Sequence, residues 1–324
     1  MSDEGNIEKS SAALNSVGAA VFLTTLKIVV GLLSGSLGIL AEAAHSALDF
    51  AAALITFFAV QVASKPADPG HAYGHGKVEN LSALVETLLL LGTCGWIIYQ
   101  SVTRLATGHV EVIASPWAFG VMLISIVVDV TRSKMLYRIA AKHRSQALEA
   151  DALHFSSDVW SSVVVLVGLG GVKVGQSVRG LEFLKNADAL AGLFVAAIVV
   201  WVSLKLGVRA VQALLDASPE GVADRIKSRV ESVPMVFDCH AIRVRHSGPH
   251  YFVDLHITLD GNLSLRTAHE LTEQVEHAVK EVLPEADVTV HPEPTPATGK
   301  PRAQSAPNPG ATTSLPGESG NRSK

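Results

Sequence analysis

Two short spacings carry the chemistry of this chain, His45-Ser46-Ala47-Leu48-Asp49 and His154-Phe155-Ser156-Ser157-Asp158. Each is a His-x-x-x-Asp motif set in an apolar run. Residues four apart stack on one face of an α-helix, so each motif aims an imidazole and a carboxylate into the same small volume. Together they offer His45, Asp49, His154 and Asp158, the nitrogen and oxygen set that a tetrahedral, zinc-like ion asks for. Ionisable groups in segments greasy enough for lipid are rare and expensive, and they mark an ion path or a proton relay. A single such motif could be a polar group satisfied inside a helix bundle; a matched pair argues against that.

The elements that must position these motifs are membrane helices. The chain has 324 residues, 48% hydrophobic and 17% charged. Its mean hydropathy is +0.32, unusual for a soluble protein. Apolar stretches of the roughly 20 residues that a bilayer requires fall at 12–34, 37–63, 79–105, 115–141, 150–171 and 187–208, which predicts six transmembrane helices. Gly35-Ser36 turns the first hairpin, the run 65–70 (Lys-Pro-Ala-Asp-Pro-Gly) breaks the chain after the second helix, and Ser115-Pro116 opens the fourth.

The first ten residues are polar and mixed in charge, without the pattern of a cleavable signal, so the amino terminus is expected in the cytoplasm. On that assumption the inner segments carry Lys9, Lys65, Lys77, Lys134, Arg138, Lys142, Arg144, Lys205 and Arg209, against Arg104, Lys173, Arg179 and Lys185 outside. The bias places both termini inside by the positive-inside rule. Helices two and five then run antiparallel. If they pack together, His45 faces Asp158 and Asp49 faces His154. Glu42 and Asp151 sit three residues before each His and read as outer or entrance groups. Lys27, Glu79 and Glu86 need buried partners, whereas Asp129 and Arg132, three apart, can pair with each other.

Two cysteines, Cys94 and Cys239, are too few and too distant for a disulfide framework and read as free thiols. A net charge of -4 and the lack of a basic stripe argue against nucleic acid. After 216–219 the character changes to a soluble module. An amphipathic helix runs from Ser218 to about Val233, two strands cover Cys239–His246 and His250–Leu259 around Ser247-Gly248-Pro249, a helix covers Leu265–Leu283, and a strand covers Asp287–His291. In the second strand Tyr251, Val253, Leu255, Ile257 and Leu259 form a core face, and Phe252, Asp254, His256 and Thr258 an outer face that carries ligand chemistry. Pro, Gly, Ser and Thr then dominate, which predicts a disordered tail. The organisation read is a cytoplasmic segment 1–11, a membrane domain 12–208, a cytoplasmic α/β domain 209–293 and a tail 294–324.

With these motifs in hand, residues 8–293 resemble the cation diffusion facilitator family of divalent-metal transporters. The likeness rests on the two intramembrane motifs, on the loop 68–79 with Asp68, His71, His75, Lys77 and Glu79, and on Ser247-Gly248-Pro249 amid the histidines of the soluble module. It implies a polytopic α-helical membrane protein with a metallochaperone-like cytoplasmic domain, working as a homodimer in the bilayer, as in a bacterial inner membrane, and exchanging cytoplasmic metal for protons. It implies a transport site of His45, Asp49, His154 and Asp158 and a loop site of Asp68, His71 and His75. It also implies a cytoplasmic metal pair on His240, His256, His269, His291 and Glu293. Glu293 departs from the Asp of better-studied relatives, and Lys77 with Asp216 matches an interlocking salt bridge between protomers. The loop spacing puts its three ligands on one side if the loop is helical, although its Gly and Pro suit a tight turn.

His at position 45, where many bacterial relatives have Asp, replaces a hard oxygen by a borderline nitrogen. That favours zinc, cobalt or nickel over manganese or iron(II). The reading is therefore a zinc/proton antiporter with no cofactor, zinc being substrate and cytoplasmic regulator; cadmium, cobalt, nickel or iron is the alternative cargo. A membrane zinc hydrolase would want His-Glu-x-x-His, which is absent. A metal sensor without transport is the remaining class. His109, His143, His246, His250 and His277 read as loop, helix-end or surface residues.

Overall fold

The computed structural model describes residues 3–34, 37–107, 116–177, 187–284 and 286–295. The Gly35-Ser36 turn, His109, Ser115, Arg179, Lys185 and the tail from 296 lie outside the described residues, as do the side chains of Glu42, Arg104 and Lys173.

Six long helices come first: α1 (Asp3–Ser34), α2 (Leu37–Ala63), α3 (Lys77–Thr107), α4 (Pro116–His143), α5 (Gln146–Ser177) and α6 (Ala187–Leu214). Over Glu4–Leu33, Ala43–Ala63, Lys77–Thr103 and Leu193–Leu214 they are long and apolar enough to cross a membrane. Phe22, Leu33, Phe58, Trp96, Phe194 and Trp201 stay exposed along them. An apolar surface of this size would aggregate in water and suits a lipid surround.

Small side chains fill the inside. Ala12, Ala13, Ala140, Ala147 and Ala152 surround Leu136, Leu148 and Phe155, and Ala83, Ala150 and Ala210 pack with Leu206. Without bulk between them the backbones approach closely. Helix α5 profits most, touching α2, α3, α4 and α6.

Buried ions lace one end of the bundle. Lys9 of α1 donates to Glu79 Oε1 of α3 at 2.7 Å, and Ser145, just before α5, donates to the other oxygen of Glu79. Glu8 takes Lys142 and, at 2.8 Å, His143. The starts of α1, α3 and α5 and the end of α4 therefore meet at one end. The start of the C-terminal domain lies there too, since Asp216, just beyond α6, pairs with Lys77 at 2.9 Å.

The soluble domain comprises α7 (Val222–Val230), β1 (Asp238–Ser247), β2 (His250–Leu259), α8 (Leu265–Val282) and β3 (Asp287–Pro294). Helix α7 stops short of Val233 because Pro234 disfavours helical backbone in the residue before it. Strand β2 is central, antiparallel to β1 and parallel to β3. Val253, Leu255, Ile257 and Leu259 on its inner face are buried with Ile226, Val230, Leu271, Val275 and Val279 of the two helices. Gly248 has φ +57 at the first of the two residues that join β1 to β2, where hairpin turns favour glycine.

Candidate functional site

Helices α2 and α5 bring the two His-x-x-x-Asp motifs together. His154 Nε2 lies 3.2 Å from Asp49 Oδ1 and 3.8 Å from Asp158 Oδ2; His45 Nε2 lies 3.9 Å from Asp49 Oδ1 and 3.9 Å from Asp158 Oδ1. Each imidazole thus faces the carboxylate of the other helix as well as its own. Bonds of about 2.0–2.1 Å at tetrahedral angles would hold neighbouring ligand atoms about 3.3–3.4 Å apart; His45, Asp49 and Asp158 converge within 4.8 Å of one another, whereas His154 stands outside that group and reaches it through the two carboxylates. His45 is the most open of the set, at 40% side-chain exposure, and His154 the most buried, at 5%. The site therefore has an open side and a closed one.

Polar groups back the site. Lys27 Nζ donates to Ser46 Oγ at 2.7 Å, beside His45. Asp151, one helical turn before His154, is fully buried and accepts from Ser16 Oγ at 2.7 Å. Sequence spacing allowed Arg132 to pair with Asp129, but the structure turns it elsewhere. Its Nε donates to Ser16 Oγ at 2.7 Å and its guanidinium lies 3.2 Å from the centre of the Phe155 ring. A chain Arg132–Ser16–Asp151 thus runs across α4, α1 and α5 beside the ligands. Glu86 of α3 accepts from Thr56 of α2. Neither Ser16 nor Thr56 was singled out by the sequence, because no local spacing ties them to their partners.

The loop between α2 and α3 is a turn rather than a helix, with Asp68 and His71 exchanging backbone hydrogen bonds of 3.3 and 3.0 Å. Asp68 Oδ1 lies 3.2 Å from His71 Nδ1, and Asp68 Oδ2 lies 3.3 Å from His75 Nε2. Partial burial pushes the Asp68 carboxyl up, but the backbone N–H and imidazole of His71 and the N–H of Gly70 more than offset this and hold it below the usual carboxylate range. These three side chains present a charged, converging set at the rim of the bundle.

On the sheet, register does what sequence alone could not. His240 pairs with His256 across β1–β2, and His256 with His291 across β2–β3, so three imidazoles form a row on the face away from the core. Ring centres lie 5.6 Å apart for His240–His256 and 4.7 Å apart for His256–His291. Glu293 clasps the first two, with Oε1 2.9 Å from His256 Nδ1 and Oε2 3.4 Å from His240 Nε2. A bulge between His240 and Arg243, with Ala241 at φ +51, lets β1 keep this register. Asp238 sits 2.8 Å from His240 Nδ1, an orienting contact that the two-residue spacing on one strand face allows. His269 is not brought to this group. It stands exposed on α8, with its Nε2 3.7 Å from Glu273. Cys239 faces the core, where burial pushes its thiol up to about 12, so it is no ligand despite adjoining His240.

Residues 13–215 match the family model described as the cation efflux transmembrane domain, and residues 219–295 the one described as the cytoplasmic domain of cation efflux proteins. The chain is 35% identical over 297 residues to a cation-efflux pump named FieF from Yersinia enterocolitica, covering 90% of this chain and 95% of that one. To the FieF pump of Cronobacter sakazakii it is 34% identical over 287 residues, covering 88% and 92%. Among solved structures, a nickel form of a MamM C-terminal domain variant is 28% identical, covering 24% of this chain and 98% of that one, with a TM-score of 0.23.

Proposed function

Because this chain belongs to the cation diffusion facilitator family, we propose that it is a secondary transporter that exports a divalent metal ion from the cytoplasm in exchange for protons, with zinc its preferred cargo. The observation that carries this reading is the clasp of Asp49 and Asp158 between His45 and His154, across two antiparallel helices. Two neutral imidazoles and two carboxylates suit a borderline ion such as zinc better than a hard one such as manganese.

Metal needs deprotonated ligands, so the same side chains couple the two fluxes by competition. Cytoplasmic metal displaces protons from the imidazoles; rocking of α2 and α5 against their neighbours opens the site outward; protons then displace the metal and favour the return. Asp151, Ser16 and Arg132 hold the closed side of the site in place meanwhile. Both termini face the cytoplasm, as does the basic end of α4. Asp68, His71 and His75 gather metal at the bundle rim, and the row His240, His256 and His291 with Glu293 takes regulatory metal on the cytoplasmic domain. The protein works as a homodimer, in keeping with the family model that its cytoplasmic domain matches.

Reconstitution in sealed vesicles tests this directly. An imposed pH gradient should drive zinc against its own gradient, and Asp158→Ala should lower that flux by about a hundredfold or more, the loss of roughly 2.7 kcal/mol of binding. Zinc movement indifferent to the pH gradient would refute exchange; undiminished flux in the variant would refute the site.

A further inference from the structure

A cavity of about 440 Å³ opens where the ends of α4, α5 and α6 meet the hairpin tip of the C-terminal domain, apart from the three clusters described above. Two arginines line it. Arg209 is already engaged, its Nη2 2.6 Å from Glu149 Oε1. Arg144 is not: its one contact among the described residues is with the Tyr251 ring, whose centre lies 5.8 Å from the guanidinium carbon. The exposed Arg144 also has φ +52, in the left-handed region that a Cβ disfavours. Glycine would relax this corner between α4 and α5, so what arginine adds there is the guanidinium.

The domain side of the cavity contributes His246, whose Nδ1 is buried without a hydrogen-bond partner among the described residues. Gln146, the first residue of α5, is in the wall, so the positive end of that helix adjoins the cavity. An uncommitted guanidinium, an unsatisfied ring nitrogen and a helix amino end share one kind of ligand, an anion with several acceptor oxygens. Phosphate reaches such divergent donors better than a planar carboxylate. Tyr137 and Tyr251 complete the wall with amphipathic rings of the type found at headgroup level.

We propose that this cavity binds the phosphate of an anionic phospholipid and so ties the C-terminal domain to the helix bundle through a lipid headgroup. Soluble phosphate esters have the same chemistry, and the experiment separates the two sources. The full chain in neutral detergent is titrated with phosphatidylglycerol, phosphatidylcholine or glycerol 3-phosphate. Unfolding temperature and the lipid retained in native mass spectrometry are the readouts.

Phosphatidylglycerol should be retained and raise the unfolding temperature above that in phosphatidylcholine. Arg144→Gln should weaken its binding about tenfold, the effect of one lost charge-assisted hydrogen bond. Arg144→Gly separates binding from folding: it should raise the unfolding temperature in phosphatidylcholine by relieving the backbone, yet lose the phosphatidylglycerol shift. Equal shifts from both lipids, or a phosphatidylglycerol shift intact in both variants, overturn the site. An equal shift from glycerol 3-phosphate at the same concentration overturns the lipid as its source.

Discussion

In the proposed transport site His45 decides more than its neighbours, because it puts a nitrogen in an otherwise mixed set and is the most open of the four, at 40% side-chain exposure. His45→Asp would leave one imidazole and three carboxylates, a harder site. Zinc transport should fall by about tenfold relative to manganese or iron(II), a difference of roughly 1.4 kcal/mol. Competition among zinc, cadmium, cobalt, nickel, iron and manganese in vesicles measures this, and an unchanged order would defeat the argument from ligand softness. Lys9 poses the opposite case, a charge that binds nothing mobile. With Lys9 at 1% exposure and Glu79 at 0%, neither can be hydrated if the other is removed. Lys9→Met should therefore destabilise by about 3–5 kcal/mol, and Lys9→Met with Glu79→Gln should recover most of it. Chemical denaturation in micelles decides between this and an additive outcome.

Elements were legible wherever a residue's role depends on its own helix or strand. The i,i+4 spacing placed His45 with Asp49 and His154 with Asp158, and the alternation along β2 put His256 on the outer face opposite Val253, Leu255 and Ile257. What escaped the sequence is the identity of the neighbour. Lys9 reads as an inner-end positive charge until α3 is seen beside it, and Arg132 reads as a partner of Asp129 until α1 offers Ser16. Register is the same kind of information: the row His240–His256–His291 exists because a bulge after His240 keeps β1 in step. The junction between α3 and the β1–β2 hairpin is another meeting of neighbours, and glycine makes it possible. A Cβ on Gly76 would stand 2.3 Å from the Ser247 carbonyl oxygen, and one on Gly248 would stand 2.8 Å from that of Gly76. Gly76→Ala should push the hairpin off α3 at a cost of about 1–3 kcal/mol, seen as faster amide exchange at 245–250. Gly92→Ala, with nothing within 4 Å of the added carbon, is the control and should leave that exchange unchanged.

For the whole molecule, the hairpin tip is the physical link between the His–carboxylate group on the sheet and the one inside the helix bundle. Gly248 N–H donates to Asn80 Oδ1 at 3.1 Å, and Asn80 Nδ2 donates to Gln146 Oε1 at 2.9 Å, so the tip, α3 and the start of the ligand-bearing α5 are joined in sequence. The Lys77–Asp216 pair spans the same junction within one chain, but its side chains are 37% and 42% exposed, and a pair so wet contributes only about 0.5 kcal/mol. Backbone packing at the tip, rather than this ion pair, holds the two parts together. His246 makes that packing sensitive to acid. Burial pushes its imidazole below the usual histidine range, against the pull of Asp216 and with the help of Lys77. A loosened tip would hydrate the ring and restore its ordinary affinity, so the open state binds more protons than the closed one. The docked junction is then fully favoured above the ordinary histidine pKa and loses stability as pH falls below it toward the depressed value. Amide protection factors at 245–250, which remove the intrinsic slowing of exchange in acid, should fall on acidification through that window in the wild type, and His246→Gln should flatten the response. A variant that kept the full acid response would assign the loosening of the tip to other titrating groups and remove His246 as its source.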